Sequence, residues 1–267
     1  MSIKDILLYL DDSSACLRRM DVALYLARSH AASVTGLSIL THDFYQPGKQ
    51  RANEAMAANE AALHLRALAA DVAVSLRSIE STVVGVSASE LLICQARCSD
   101  LVIVGQESRR PTLASVMVKN LVQGAPCPVL VVPAKGAFPA AGKRVLVAWK
   151  NGREAARTLH DALPILRKAE QVTLLAVASG TAAGGVEQAE WDGILQYLSS
   201  HGIQARGELQ PSTSAPLADT LLNYACEGGF DLLIMGALSG ESGRDARLGA
   251  VASQILREMT VPVLMSH

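Results

Sequence analysis

Residues 236–250 read GALSGESGRDARLGA. They follow the apolar run DLLIM and precede VASQILREM, whose apolar spacing is helical. A glycine-rich turn between a strand and a helix suits an anion, because backbone N–H groups converge there and the helix N-terminus is partly positive. No Lys-Ser or Lys-Thr pair stands in the stretch, so it is not a P-loop, and the three-glycine dinucleotide fingerprint is missing. Lys150, Arg244 and Arg247 are cations suited to phosphate groups. Arg109 and Arg110 read as an anion patch or, more simply, a solvated loop. Cys94 and Cys98 lie one helical turn apart with no His or Asp beside them, and they read as small apolar packing residues. His160 precedes Asp161, but adjacent helix positions do not face each other. Ser87, Ser89, Ser212 and Ser214 open helical segments and read as caps. Trp149 ends a strand, where it either packs or stacks on a base. No Ser-His-Asp motif, metal-ligand cluster or carboxylate pair is legible, so no metal is implied and the reading leans away from an enzyme.

The bulk properties narrow the setting. Half of the 267 residues are hydrophobic and only 4% aromatic, so the core must be aliphatic. The 24 basic and 25 acidic residues leave a net charge of −1, with no basic domain or tail, which disfavours nucleic acid and membrane surfaces as partners. The five cysteines form no CxxC pair, against a disulfide framework or zinc site. No segment has the ~20 apolar residues of a membrane span, and the first apolar run is too short for a signal peptide. The expectation is a soluble cytoplasmic protein.

These residues need elements to position them, and the chain writes those elements twice. DLVIVG (100–105) matches DLLIMG (231–236), and APCPVLVVP (125–133) matches MTVPVLMSH (259–267). ILLYLDDSSACLRRMD likewise matches VLVAWKNGREAARTLHD. The repeat of roughly 130 residues is a whole domain. Each half alternates strands with helices, which implies right-handed crossovers and a parallel sheet covered on both faces. The first helix carries Leu17, Met20, Leu24 and Ala27 on one stripe, with Ser13 or Ser14 as its cap. Long second helices are expected near 51–70 and 186–200, and third strands near SLRSIESTVV and IQARGELQ. The expected fold is therefore α/β: two repeated three-layer α/β/α domains, each with a five-stranded parallel sheet of Rossmann-like type. The Pro-, Ala- and Gly-rich PAKGAFPAAGK (133–143) separates domains at 1–135 and 143–267. Ligands of such sheets sit beyond the carboxyl ends of the strands, where strand order reverses. LDDSS and GQESRRPTLAS should meet there in the first half, WKNGR and the 236–250 stretch in the second.

With its DL-hydrophobic-hydrophobic-hydrophobic-G segments, its APCPVLVVP and TVPVLMSH endings and its helix-leading LDDSS, the chain resembles the universal stress proteins in a tandem two-domain form. The resemblance implies the adenine nucleotide alpha hydrolase-like fold. It also implies an Asp after strand one that contacts a base, and a G-x2-G-x9-G-[S/T] loop after strand four that wraps ribose and phosphates. Asp11 matches that Asp, while Lys150 replaces it in the second half. Gly236 and Gly249 match loop glycines, Ser239 replaces the glycine between them, and Ala250 replaces the final hydroxyl residue. In the first half Gly105 matches, Ser108 replaces the second glycine, and Ser115 and Val116 occupy the last two positions after a loop three residues short. The implied cofactor is ATP or another adenine nucleotide, or a small anionic ligand, at a degenerate site that is more loop-like in the second domain. The implied function is regulatory or protective in stress, without turnover. The alternatives are a slow ATP-hydrolysing or nucleotide-transferring enzyme, with Glu241 and Asp245 as the nearby carboxylates, or a purely structural interaction module. Family members pair through their last strands, so PVLVV and PVLMS would make an internal pseudo-dimer, with a further homodimer conceivable.

Overall fold

The structure, a computed structural model, describes residues 2–41, 49–81, 86–107, 118–177, 188–211, 214–239 and 247–266. It divides into two compact units, Ser2–Pro139 and Ala140–His267. The first runs β1 (Asp5–Leu10), α1 (Cys16–His30), β2 (Ser33–Thr41), α2 (Lys49–Ala70), β3 (Val74–Ser81), α3 (Ala88–Gln95), β4 (Leu101–Gly105), α4 (Val118–Gly124), β5 (Val129–Val132). The second runs β6 (Arg144–Ala148), α5 (Arg153–Leu166), β7 (Gln171–Val177), α6 (Gln188–Ser200), β8 (Ala205–Gln210), α7 (Leu217–Glu227), β9 (Leu232–Gly236). It closes with the two-residue strands β10 (Leu238–Ser239) and β11 (Arg247–Leu248), then α8 (Ala250–Glu258) and β12 (Val263–Ser266).

Within the first unit the strand order is β3-β2-β1-β4-β5, and within the second β8-β7-β6-β9-β12. These are one topology, and the strand pairs within each unit's five-strand series are parallel. Strand order reverses between β1 and β4, and again between β6 and β9. Right-handed crossovers that run first toward one edge and then toward the other place their helices on opposite faces. Accordingly α1 packs on α2 and α3 on α4. The central strands are apolar throughout because both faces are covered: Leu101–Val104 and Val129–Val132 are all buried. The core is aliphatic, as the composition requires.

Both DL segments have a concrete structural role. The Asp100 carboxylate accepts the backbone N–H of Lys4 at 2.7 Å and of Asp5 at 3.1 Å. Asp231 accepts those of Gly142 (2.8 Å), Lys143 (3.2 Å) and Arg144 (3.1 Å). Each carboxylate ties the start of its domain's first strand to the start of the fourth, at the end of the sheet away from the loops.

Several helix starts differ from the sequence expectation. The residue capping α1 is Ala15, with no side-chain cap, because Ser13 turns back to Asp11. Ser87 does cap α3, and with Glu90 it forms a complete capping box. Ser89 is buried inside that helix. Pro216 precedes α7, so Ser214 is not its cap, and Ser212 lies outside the described residues. Cys94 and Cys98 are exposed rather than packed, because α3 buries Ala88, Ser89 and Leu92. Among the described residues no helix is long and apolar enough to cross a membrane.

Candidate functional site

In the first domain the two site segments meet through a residue that the sequence reading passed over. Asp11 follows β1, and Gly105 ends β4. Arg19, one turn into α1, is 3% exposed and reaches both. Its Nη2 donates to Asp11 Oδ1 at 2.6 Å. Its Nη1 lies so close over Gly105 that a Cβ there would sit 2.1 Å away. Ser13 donates to the same Asp11 oxygen from its N–H (3.0 Å) and its hydroxyl (2.6 Å). Asn59 of α2 donates to the Asp11 carbonyl at 2.7 Å. The guanidinium thus stands between the strand-one carboxylate and the strand-four glycine. Ser108, Ser115, Val116, Arg109 and Arg110 lie outside the described residues.

The electrostatics agree with that geometry. Burial acts to raise the Asp11 carboxyl, but the charge and hydrogen bond of Arg19, with those of Ser13, outweigh it and hold it below its ordinary value. Burial acts to lower Arg19, and Asp11 more than reverses this, so the guanidinium stays charged. Burial, with a contribution from Asp11, pushes the Tyr9 phenol far up, and burial raises the Cys16 thiol. The cluster therefore holds a closed ion pair beside two protonated neighbours. It offers no activated nucleophile.

Crowding explains the glycine. Gly105→Ala would drive a methyl group into the guanidinium and prise it from Asp11. The expected loss is about 1–3 kcal/mol in urea denaturation, as for other overpacked sites. In the second domain Thr158 takes the repeat position of Arg19, and its hydroxyl donates to the carbonyls of Glu154 (2.7 Å) and Ser266 (3.2 Å). Without a guanidinium to house, α5 itself closes in. A Cβ on Gly236 would meet Glu154 C at 3.2 Å and Ala155 N at 3.3 Å.

The two described ends of the 236–250 stretch, 236–239 and 247–250, form a clasp. Leu238 pairs with Leu248 and Ser239 with Arg247 in an antiparallel ladder. The Gly249 N–H donates to Ala237 O at 3.0 Å. Ser239 lies in extended strand, so no left-handed backbone at this position calls for a glycine. Gly249, at φ −62°, precedes α8, and no side chain caps that helix. Ala250 is its exposed first residue. The first N–H groups of α8 therefore have no side-chain cap among the described residues. Lys150 is exposed just past β6, and by register it lies near the residue after Gly236. Residues 240–246, with Glu241, Arg244 and Asp245, lie outside the described residues, as does the Arg247 side chain. Gly236, Ser239, Gly249 and Ala250 are thus brought together at one strand end of the second domain, while Asp11 and Gly105 belong to the first. Among the described residues no cluster of His, Cys, Asp or Glu could hold a metal ion.

Solved structures with this architecture are found across the whole chain. A universal stress protein from Archaeoglobus fulgidus DSM 4304 superposes with a TM-score of 0.73 at 16% identity, covering 98% of this chain and 97% of that one. A putative universal stress protein from Pseudomonas aeruginosa UCBPP-PA14 gives 0.63 at 18% identity, covering 99% and 93%. A universal stress protein in complex with cAMP covers 51% of this chain and 100% of its own, at 22% identity and a TM-score of 0.39. Comparison with curated proteins finds no match. The sequence model of the Universal stress protein family matches twice, over residues 2–133 and 142–267. With the same five-strand order in both halves and that double match, the chain belongs to the universal stress protein family.

Proposed function

We propose that the protein is a non-enzymatic stress-response regulator or protectant whose remaining ligand-binding capacity lies in the second domain. Its ligand there is ATP, another adenine nucleotide or a small anion bearing phosphate. The observation that carries this reading is the contrast between the two strand ends. In the first domain the space between Asp11 and Gly105 is filled by the chain's own Arg19. In the second the start of α8 has no side-chain cap among the described residues, and Lys150, just past β6, is exposed. Backbone N–H groups and a nearby cation favour phosphate there. With Lys150 in place of a carboxylate, the base is held less well than the phosphates. We further take domains 1–135 and 143–267 to pair through their last strands as an internal pseudo-dimer, for which two family domains in one chain are the support.

Melting curves with millimolar ATP, ADP, AMP and cAMP test the reading, cAMP being the ligand named for one structural neighbour. A ligand at a hundred times its dissociation constant adds about 2.7 kcal/mol of stability. Stabilisation is expected for the native chain, and Ala250→Glu is expected to remove it by placing a carboxylate at the start of α8. Absence of any shift, or a shift that survives Ala250→Glu, overturns the proposal. Native mass spectrometry of the purified protein identifies a retained ligand without prior choice.

A further inference from the structure

A second feature of the Ala140–His267 domain lies beside the strand-end site and shares Trp149 of its WKNGR segment. A cavity of about 210 Å³ opens between α5 and α6, walled by Trp149, Leu159 and Ile194 with Ala156 and Gly193, and rimmed by His160 and Tyr197. The Trp149 indole nitrogen is covered and has no acceptor among the described residues. Trp149 is only 8% exposed, and the small part left open to the cavity is not its polar nitrogen. At the rim, the Tyr197 hydroxyl and His160 Nδ1 are 2.7 Å apart, with the rings edge to face. Burial raises the Tyr197 phenol above its ordinary value, against an opposing effect of Arg167, so it stays protonated.

Gly193 points independently to a purpose for this space. It lies inside α6, where glycine is about 1 kcal/mol worse than alanine. A Cβ built on it meets nothing within 4 Å among the described residues, and its φ is not among the positive ones. Neither packing nor backbone geometry requires a glycine there. Its missing side chain keeps the mouth of the cavity clear. The repeat sharpens the point. The first-domain counterparts of Trp149, His160 and Tyr197 are Leu10, Asp21 and Arg66. Leu10 is fully buried, and Arg66 and Asp21 form an ion pair between α2 and α1. The second domain has exchanged an ion-paired seam for an aromatic wall with a His–Tyr rim.

We propose that this cavity binds a monocyclic phenol, its ring against Trp149 and its hydroxyl at the His160–Tyr197 pair. Size supports the ring, since an enclosed apolar cavity of about 150 Å³ takes up benzene and this one, open to solvent, measures about 210 Å³. The rim supports the hydroxyl. If Tyr197 donates to Nδ1, His160 presents Nε2–H. If Nδ1–H donates to Tyr197, His160 presents a bare Nε2 and the phenol keeps its own O–H. A ligand hydroxyl both donates and accepts, so it completes either arrangement.

The test uses the two tryptophans of the full chain. Trp191 covers Gly207 on β8 and is not among the residues lining the cavity, so it serves as internal control. In ¹H–¹⁵N spectra, titration with 4-ethylphenol is expected to shift the Trp149 indole resonance saturably, leaving Trp191 in place. Trp149→Phe assigns the peaks. Methylation of the hydroxyl, as in 4-ethylanisole, is expected to weaken binding about tenfold, equivalent to about 1.4 kcal/mol. Gly193→Leu is expected to abolish binding with the melting temperature held or raised, while Gly193→Ala retains it. An unmoved Trp149 resonance at the solubility limit, equal binding of phenol and anisole, or undiminished binding by Gly193→Leu would each overturn the proposal.

Discussion

Arg19→Ala is expected to destabilise the first domain by about 3–5 kcal/mol, because it leaves the Asp11 charge in a largely closed site without its partner. Arg19→Met with Asp11→Asn, which removes both charges and keeps the volume, is expected to restore most of that loss. Urea denaturation followed by far-UV circular dichroism measures both. The pH dependence has a definite sign. The folded carboxyl lies below its ordinary value of about 3.9. Its contribution is therefore complete above that value and is lost as pH falls through the lower, folded one. The native chain should show an acid-side loss that the double variant lacks. Equal acid slopes in the two proteins would mean that the pair does not stabilise the fold.

Asp231→Ala carries the second large effect. It strips an ionised acceptor from three backbone N–H groups at the start of β6. Hydrogen bonds to charged groups contribute about 1.5–3 kcal/mol each. Water replaces part of the loss because Lys143 and Arg144 are exposed, so about 2–4 kcal/mol is expected. Trp149 and Trp191 both belong to the second domain, so its unfolding is read directly by tryptophan fluorescence. Asp231→Asn keeps an acceptor and should recover part of the stability. Asp100→Ala, with two N–H groups at stake, should cost its own domain less. A fluorescence midpoint unchanged by Asp231→Ala would show that the clamp contributes nothing.

The doubled architecture was legible because it is written in periodicity and repetition. Runs such as LVIV and VLVV, mostly β-branched and apolar on both faces, read as strands of a covered parallel sheet, and the matched landmarks imply one topology for both halves. Arg19 was not legible as a site residue, since an Asp after a strand and an Arg on the next helix obey no spacing rule. A signal was present nonetheless. Arg19 falls on the helix face of Cys16, Met20 and Ala23, and a charge on a buried stripe demands a partner. The expected Ser13 or Ser14 cap failed for the same reason, because Asp11 competes for the serine. In the second half the glycine pattern placed Gly236 and Gly249 at the strand end. It said nothing of the ladder between them, whose register is set by two residue pairs too short to show periodicity. Trp149 was read as packing or stacking. The void beside it depends on α5 and α6 together, and no local pattern encodes that.

The ladder of β10 and β11 bears on how this protein could diversify. It fastens residues 239 and 247 to one another at the width of a strand pair. Whatever sequence fills the interval departs from and returns to the same two anchor points. Loop-closure entropy grows only logarithmically with length, so extending the interval costs the domain little. A lineage could rewrite this segment freely, residue by residue or by insertion, while the sheet beneath it kept its register.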